Sequence, residues 1–326
     1  MMNVLIAPAT LAGAPGPYAD ALRQAGFNLV YPQRAAQLTE DELMAALAGI
    51  KASVAGSEPY TRRVLTAHPG LRVIARAGVG YDAVDVAAAT DLGIVVATTP
   101  GTNQDAVAEH TFAMILALAK NLIPHHAGTR AGRWPRQANL PLRGRTLGIA
   151  GLGRIGKAVA LRGQCFGMPL LAYEPYPDQA FVRAHKITLV PLDRLVAESD
   201  FLTLHVPLTA ESRHLINQRT LDLMKPTAFL INTARGALVD EAALNEALRA
   251  RRIAGAGLDV FELEPPTGNP LLELDNVVLT PHTGGVDLQS LEDMALAAAQ
   301  AIVKLSRGEW PAEQVVNPEV RAKFRW

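Results

Sequence analysis

T-L-G-I-A-G-L-G-R-I-G, residues 146–156, is the stretch on which the fold turns. Its first five residues form a short apolar run that reads as a buried strand, and the pattern over 154–166 has helical periodicity. Between them lies a G-x-G-x-x-G hexamer. In a strand–turn–helix setting each glycine has a separate task. Gly151 permits the tight turn, Gly153 lets a pyrophosphate approach the backbone, and Gly156 lets helix and strand pack closely. The helix N-terminus then offers free N–H groups and a positive dipole end to the phosphates. A second apolar run, 170–173, ends at Glu174, eighteen residues past Gly156. A carboxylate there accepts hydrogen bonds from the adenosine ribose and repels a 2′-phosphate. Pro175 and Tyr176 follow it, so no adjacent arginine welcomes such a phosphate, and NAD is favoured over NADP.

The same alternation extends outward in both directions. Upstream, apolar runs at 4–7, 28–31, 52–55, 73–75 and 94–97 read as buried strands, with helical patterns at 18–25 and 40–48. Short apolar runs between helices indicate βαβ units and parallel sheets. After a break at Thr98-Thr99-Pro100-Gly101, a long helical pattern covers 103–122 and ends before Pro124. Residues 125–145, rich in Arg, Gly and Pro, read as an irregular arm. Downstream, strands are expected at 201–205, 229–232, 257–260 and 277–280, and a last helix at 291–305. The fold class is α/β, with two Rossmann-like, doubly wound parallel-sheet units.

Composition narrows the function. The chain has 326 residues, enough for two domains, and is 49% hydrophobic and 19% charged. Thirty-one basic residues balance 31 acidic ones, which gives no support to nucleic-acid or anionic-membrane binding. Cys165 is the sole cysteine, so no intramolecular disulfide forms; it sits in a helical pattern and reads as a core residue. The N-terminal MMNVLIAP lacks a basic region and is interrupted by Pro8, and the apolar stretch 112–119 is too short to span a bilayer. A cytoplasmic protein is expected. No cluster of His, Cys or acids has metal-ligand spacing.

Three later segments carry polar residues where strands end. N-T-A-R-G-A-L-V-D-E, 232–241, holds Arg235. L-D-V-F-E-L-E-P-P, 258–266, holds Asp259 and Glu264. L-T-P-H-T-G-G, 279–285, holds His282. In open parallel sheets the ligand crevice lies outside the carboxyl ends of the strands, so all three are expected to converge on one cleft.

With the glycine hexamer, these segments resemble the D-isomer-specific 2-hydroxyacid dehydrogenase family over almost the whole chain. R-A-G-V-G-Y-D at 76–82, the N-x-x-A-V-A-E-H pattern at 103–110 and H-V-P-L-T at 205–209 strengthen the resemblance. The resemblance implies that Arg235 binds the carboxylate and keto oxygen of a small 2-keto acid, that His282 is the acid/base, and that Glu264 hydrogen-bonds the histidine. It assigns Arg154 and Ile155 to the pyrophosphate, Thr233 and Ala234 to the nicotinamide ribose and ring, Val206 and Pro207 to a wall near the cofactor, and Asp259 to the carboxamide. Val79 and Gly80 would cradle the substrate carboxylate with backbone N–H groups. It further implies a cofactor domain, 101–288, inserted into a flavodoxin-like substrate domain, 1–100 plus 289–326, with closure between them excluding water. A homodimer through the 125–145 arm is the family expectation, with Trp134 as a residue reaching the partner.

Rival readings are a non-catalytic NAD(H)-sensing scaffold and oxidation of a phosphite or phosphonate, both compatible with the same three residues. A formate dehydrogenase would carry glutamine at 264. Substrate choice would fall to Ser57, Glu58, Arg76, Tyr81 and Trp134, and Arg76 or Arg62 could meet a phosphate or second carboxylate. His110, His125, His126, His185, His205 and His214 lack a companion carboxylate and arginine in the sequence and read as structural or surface residues.

Overall fold

The computed structural model describes residues 2–14, 16–33, 37–134 and 136–326. Pro135, within the 125–145 arm, lies outside them. The chain forms two compact units, one of residues 1–103 and 286–326 and the other of 104–285.

In the first unit, strands β1 (Met2–Ile6), β2 (Phe27–Val30), β3 (Ile50–Ala55), β4 (Val73–Arg76) and β5 (Val95–Ala97) alternate with helices α1 (Pro17–Gln24), α2 (Glu40–Ala46), α3 (Arg62–Ala67) and α4 (Val86–Asp91). All pairings are parallel, in the order β2-β1-β3-β4-β5, the flavodoxin-like arrangement. The helix starts are written locally. Thr39 and Glu42 close a capping box on α2, and Asp85 accepts the Ala88 N–H at the head of α4.

The second unit opens with α5 (Gln104–Ala119) and α6 (Leu122–Arg130), followed by β6 (Leu147–Ala150), α7 (Arg154–Cys165), β7 (Leu170–Tyr173), α8 (Gln179–Ala184), β8 (Thr188–Leu189) and α9 (Leu192–Glu198). Then come β9 (Phe201–Leu204), α10 (Gln218–Leu223), β10 (Phe229–Asn232), α11 (Glu241–Arg249), β11 (Gly255–Leu258) and β12 (Val277–Leu279). The sheet runs β12-β11-β10-β9-β6-β7-β8, all parallel. This is Rossmann order with one added edge strand, and the connection reverses direction between β6 and β9. Successive residues face opposite cores: Leu147 and Ile149 pack on one side of the sheet, Ala150 on the other. The last helix, α12 (Leu288–Ser306), belongs to the first unit, where Ala295, Ala298, Ala299 and Ile302 join Val4, Ile6 and Leu22 in one core.

Two expectations change. Part of the 125–145 arm is helical, because the break falls earlier than Pro124: Asn121 turns left-handed (φ 48) and starts α6. Pro124 then sits in the first turn, where a missing N–H interrupts no helical bond. Cys165 is exposed rather than buried, since the inward stripe of α7 runs through Gly156, Val159, Ala160 and Gly163 and leaves 165 off it. No single helix among the described residues is long and apolar enough to cross a membrane.

Candidate active site

The glycine hexamer lies at the reversal point of the second sheet. Gly151 has φ +94, and a Cβ there would meet the His205 carbonyl carbon at 2.6 Å and the Val206 nitrogen at 2.8 Å. The turns after β6 and β9 therefore touch through their backbones, which only glycine allows. A Cβ on Gly156 would meet the Gly151 oxygen at 2.0 Å, so α7 can start this close to the turn only with glycine there. Gly153 differs: a Cβ would meet nothing within 4 Å. It faces open space at the head of a twelve-residue helix whose first turn no side chain caps. That arrangement fits a pyrophosphate approaching the backbone, with Arg154 exposed beside it and Ile155 half-buried against the core.

Glu174 stands at the end of β7. One oxygen accepts the Leu152 N–H at 2.8 Å and the other the Tyr176 N–H at 3.0 Å. The carboxylate thus braces the glycine turn. Half-buried Val206 and exposed Pro207 follow β9. Thr233 and Ala234 follow β10, where the Thr233 hydroxyl pairs with Thr111 at 3.1 Å and the Ala234 N–H donates to Asn232 Oδ1 at 3.1 Å.

The three polar segments follow β10, β11 and β12, as expected. His282 Nδ1 lies 2.7 Å from Glu264 Oε2, and Glu264 Oε1 accepts the Phe261 N–H at 3.0 Å. Burial pushes the Glu264 carboxyl up, but the His282 bond and charge, the Phe261 amide and the Arg235 charge together hold it below the usual carboxylate range. With Nδ1 engaged, Nε2 is the ring nitrogen available to a substrate. The Arg235 turn is pinned by Asn232 Nδ2, which donates to the Arg235 oxygen at 2.8 Å. It packs tightly on its neighbour: a Cβ on Gly236 would lie 1.9 Å from the Phe261 carbonyl carbon. The segments carrying Arg235 and Glu264 therefore share a backbone contact.

Asp259 is 1% exposed. Its Oδ1 accepts from the Thr280 hydroxyl at 2.6 Å and the Thr283 N–H at 2.9 Å, and its Oδ2 accepts the Gly284 N–H at 2.8 Å. Its side chain thus organises the loop that bears His282. His110, without a partner in the sequence reading, has a carboxylate after all: its Nε2 is 2.9 Å from Thr280 Oγ1 and 3.5 Å from Asp259 Oδ1. His214 likewise meets Glu262, at 3.1 Å. Sequence reasoning missed Thr280, Gly236 and Gly284; their only signal was adjacency to His282 and Arg235.

In the first unit, the turn after β4 carries Val79 and Gly80. Arg76 is buried and donates from Nε to the Gly80 oxygen at 2.8 Å, while Gly78 and Thr99 exchange bonds at 3.0 Å. Glu58 is buried and accepts the Gly56 N–H at 2.6 Å. Arg62 pairs with Asp91 at 3.2 Å and Asp85 at 3.8 Å. Tyr81 and Trp134 are exposed.

Comparison with known proteins agrees with this architecture. Residues 112–284 match the model of the D-isomer specific 2-hydroxyacid dehydrogenase NAD binding domain. A glyoxylate reductase of Korarchaeum cryptofilum is 43% identical over 271 residues, 81% of each chain. A D-3-phosphoglycerate dehydrogenase of Methanocaldococcus jannaschii is 43% identical over 284 residues, 86% of this chain but 54% of that longer one. The structure of D-lactate dehydrogenase from Aquifex aeolicus with NAD and lactic acid aligns with a TM-score of 0.85 at 31% identity, covering 97% of this chain and 99% of that one. The chain belongs to the D-isomer specific 2-hydroxyacid dehydrogenase family, and its second unit carries that family's NAD-binding domain.

Proposed function

We propose that the protein reduces a small 2-keto acid to the matching D-2-hydroxy acid with NADH, and catalyses the reverse oxidation with NAD. The observation that supports this most is the pair of His282 Nδ1 and Glu264 Oε2 at 2.7 Å, with Arg235 charge acting on the same carboxylate. Bound nicotinamide supplies or receives the hydride at the substrate's C2. Arg235 binds the substrate carboxylate and keto oxygen and stabilises negative charge as it develops there. His282 donates its Nε2 proton to that oxygen in reduction and takes it back in oxidation. Glu264 keeps the ring oriented through Nδ1. The D configuration follows the family, and the proposed assembly is a homodimer.

The test is NADH oxidation, followed by absorbance, across glyoxylate, hydroxypyruvate, 3-phosphohydroxypyruvate and branched 2-keto acids, with NADPH alongside. Turnover of at least one, lost in His282→Ala while NADH still binds, is expected. A His282→Ala variant with near-wild-type rates would remove histidine from the proton-donor role. NADH binding without turnover on any acid would overturn the proposed reaction.

A further inference from the structure

One polar chain in the second unit carries the Asp259 contacts on to α5. It runs from α5 to the loop after β12 through His110, Thr280 and Asp259. Donor counting fixes its hydrogens. The Asp259 carboxylate already accepts the Thr283 and Gly284 N–H groups, so it acts as an acceptor toward Thr280 as well. Thr280 has one hydroxyl hydrogen and donates it to Asp259 Oδ1 at 2.6 Å. Its oxygen must therefore accept from His110, 2.9 Å away, and the His110 ring carries its proton on Nε2. The Asp259 side chain is 2% exposed and that of His110 21%, so water competes little for these bonds. A Cβ on Gly284 would meet Asp259 Oδ2 at 2.8 Å and His110 Cδ2 at 3.4 Å, so the space between them is filled.

The loop at the end of this chain is the one that presents His282. His282 has φ 55, a left-handed conformation that residues with a Cβ resist. Asp259 holds the loop on both sides of that residue. Its backbone oxygen accepts the His282 N–H at 2.8 Å, and its carboxylate holds Thr280, Thr283 and Gly284. His110 ties this node to α5, a sixteen-residue helix with much of its length in the core. We propose that His110 is a positioning residue: through Thr280 and Asp259 it fixes the loop that aims His282 at the substrate. This rests on the reading of His282 as proton donor.

The experiment uses the full chain with His110→Ala, Thr280→Val, both together, and the restoring variants His110→Gln and Thr280→Ser. Glutamine reaches about as far as histidine Nε2 with an N–H, and serine keeps the hydroxyl. Thr280→Val keeps the side-chain shape, so the test survives if His110→Ala fails to fold. Two readouts are taken: kcat with NADH and the best 2-keto acid, and hydrogen exchange of the 280–285 amides by mass spectrometry. Each disrupting change should lower kcat about tenfold, the loss of roughly one hydrogen bond. The double variant should fall no further than about threefold below either single, because one chain is cut twice. The amides should exchange faster in the disrupting variants, and both restoring variants should return kcat and exchange toward wild type. Unchanged kcat in His110→Ala, a double loss equal to the product of the singles, or a kcat loss without faster exchange overturns the proposal. If the wild type reduces no 2-keto acid, the proposed reaction fails on its own. The exchange then decides the positioning role: faster exchange in both single variants supports it, and unchanged exchange overturns it.

Discussion

Replacing Gly236 by alanine should damage the site from outside it. The added Cβ would lie 1.9 Å from the Phe261 carbonyl carbon, 2.1 Å from its oxygen and 2.3 Å from the Glu262 nitrogen. These are backbone atoms, so no side-chain rotation relieves the clash. Ordinary contact begins near ~3.5 Å, so the Arg235 and Glu264 segments must part by about 1.5 Å. A displacement of about 1 Å in catalytic groups can lower rates about 100-fold, so kcat/KM should fall by roughly that factor. Overpacking of this kind costs about 1–3 kcal/mol, which for a unit of this size lowers Tm by roughly 2–12 °C. The assays are steady-state kinetics with NADH and the best 2-keto acid, and calorimetry. Gly153→Ala is the contrasting control. Its Cβ meets nothing within 4 Å, so Tm should hold while NADH binding weakens by loss of the close phosphate approach. A Gly236→Ala enzyme with wild-type kcat/KM and Tm would show that the two segments do not hold each other in register.

Three further outcomes are expected. Glu264 has a lowered folded pKa, so its carboxylate contributes stability above the ordinary carboxylate value and loses it as pH falls through the folded value. Urea melts should therefore show wild type more stable than Glu264→Gln at pH 7, with the gap closing on acidification well below pH ~4; a gap that persists there contradicts the assignment. Glu174→Ala should lower the preference for NADH over NADPH and also weaken NADH itself, because the Leu152 brace is lost with the charge; unchanged Kd values for both cofactors would place discrimination elsewhere. Asn317 is fully buried, accepting the Val96 N–H at 2.9 Å and donating to the Ile94 oxygen and Thr90 Oγ1 at 3.0 Å. Asn317→Leu should destabilise the first unit by about 2–4 kcal/mol by leaving those groups unpaired, and a melt within 1 °C of wild type would disprove it.

Much of the fold could be read from the sequence because parallel strands covered on both faces leave dense apolar runs. The runs at 147–150, 170–173 and 229–232 became strands with those same bounds. Helices α8, α9 and α10 are too short to show an apolar stripe, and β8 has two residues. Proline misled at α6, where position within the first turn, not presence, decided its effect. At the candidate site, Arg235, Glu264 and His282 announced themselves as polar residues at strand ends. His110 could not, because its partners lie 149 and 170 residues away and meet it only through the pairing of β11 with β12. Gly236 was equally silent, since what it must avoid is backbone from another segment.

The interleaving of the two units reverses the order in which they can be finished during synthesis. Residues 104–285 are contiguous and can fold as soon as they leave the ribosome. The first unit begins earlier yet must wait, because the core around Val4, Ile6 and Leu22 is closed by Ala295, Ala298 and Ile302 of α12. Through that interval the part of the sheet face that α12 covers stays open, a window in which a nascent chain is exposed to chaperone capture or to pairing with its neighbours on the same messenger.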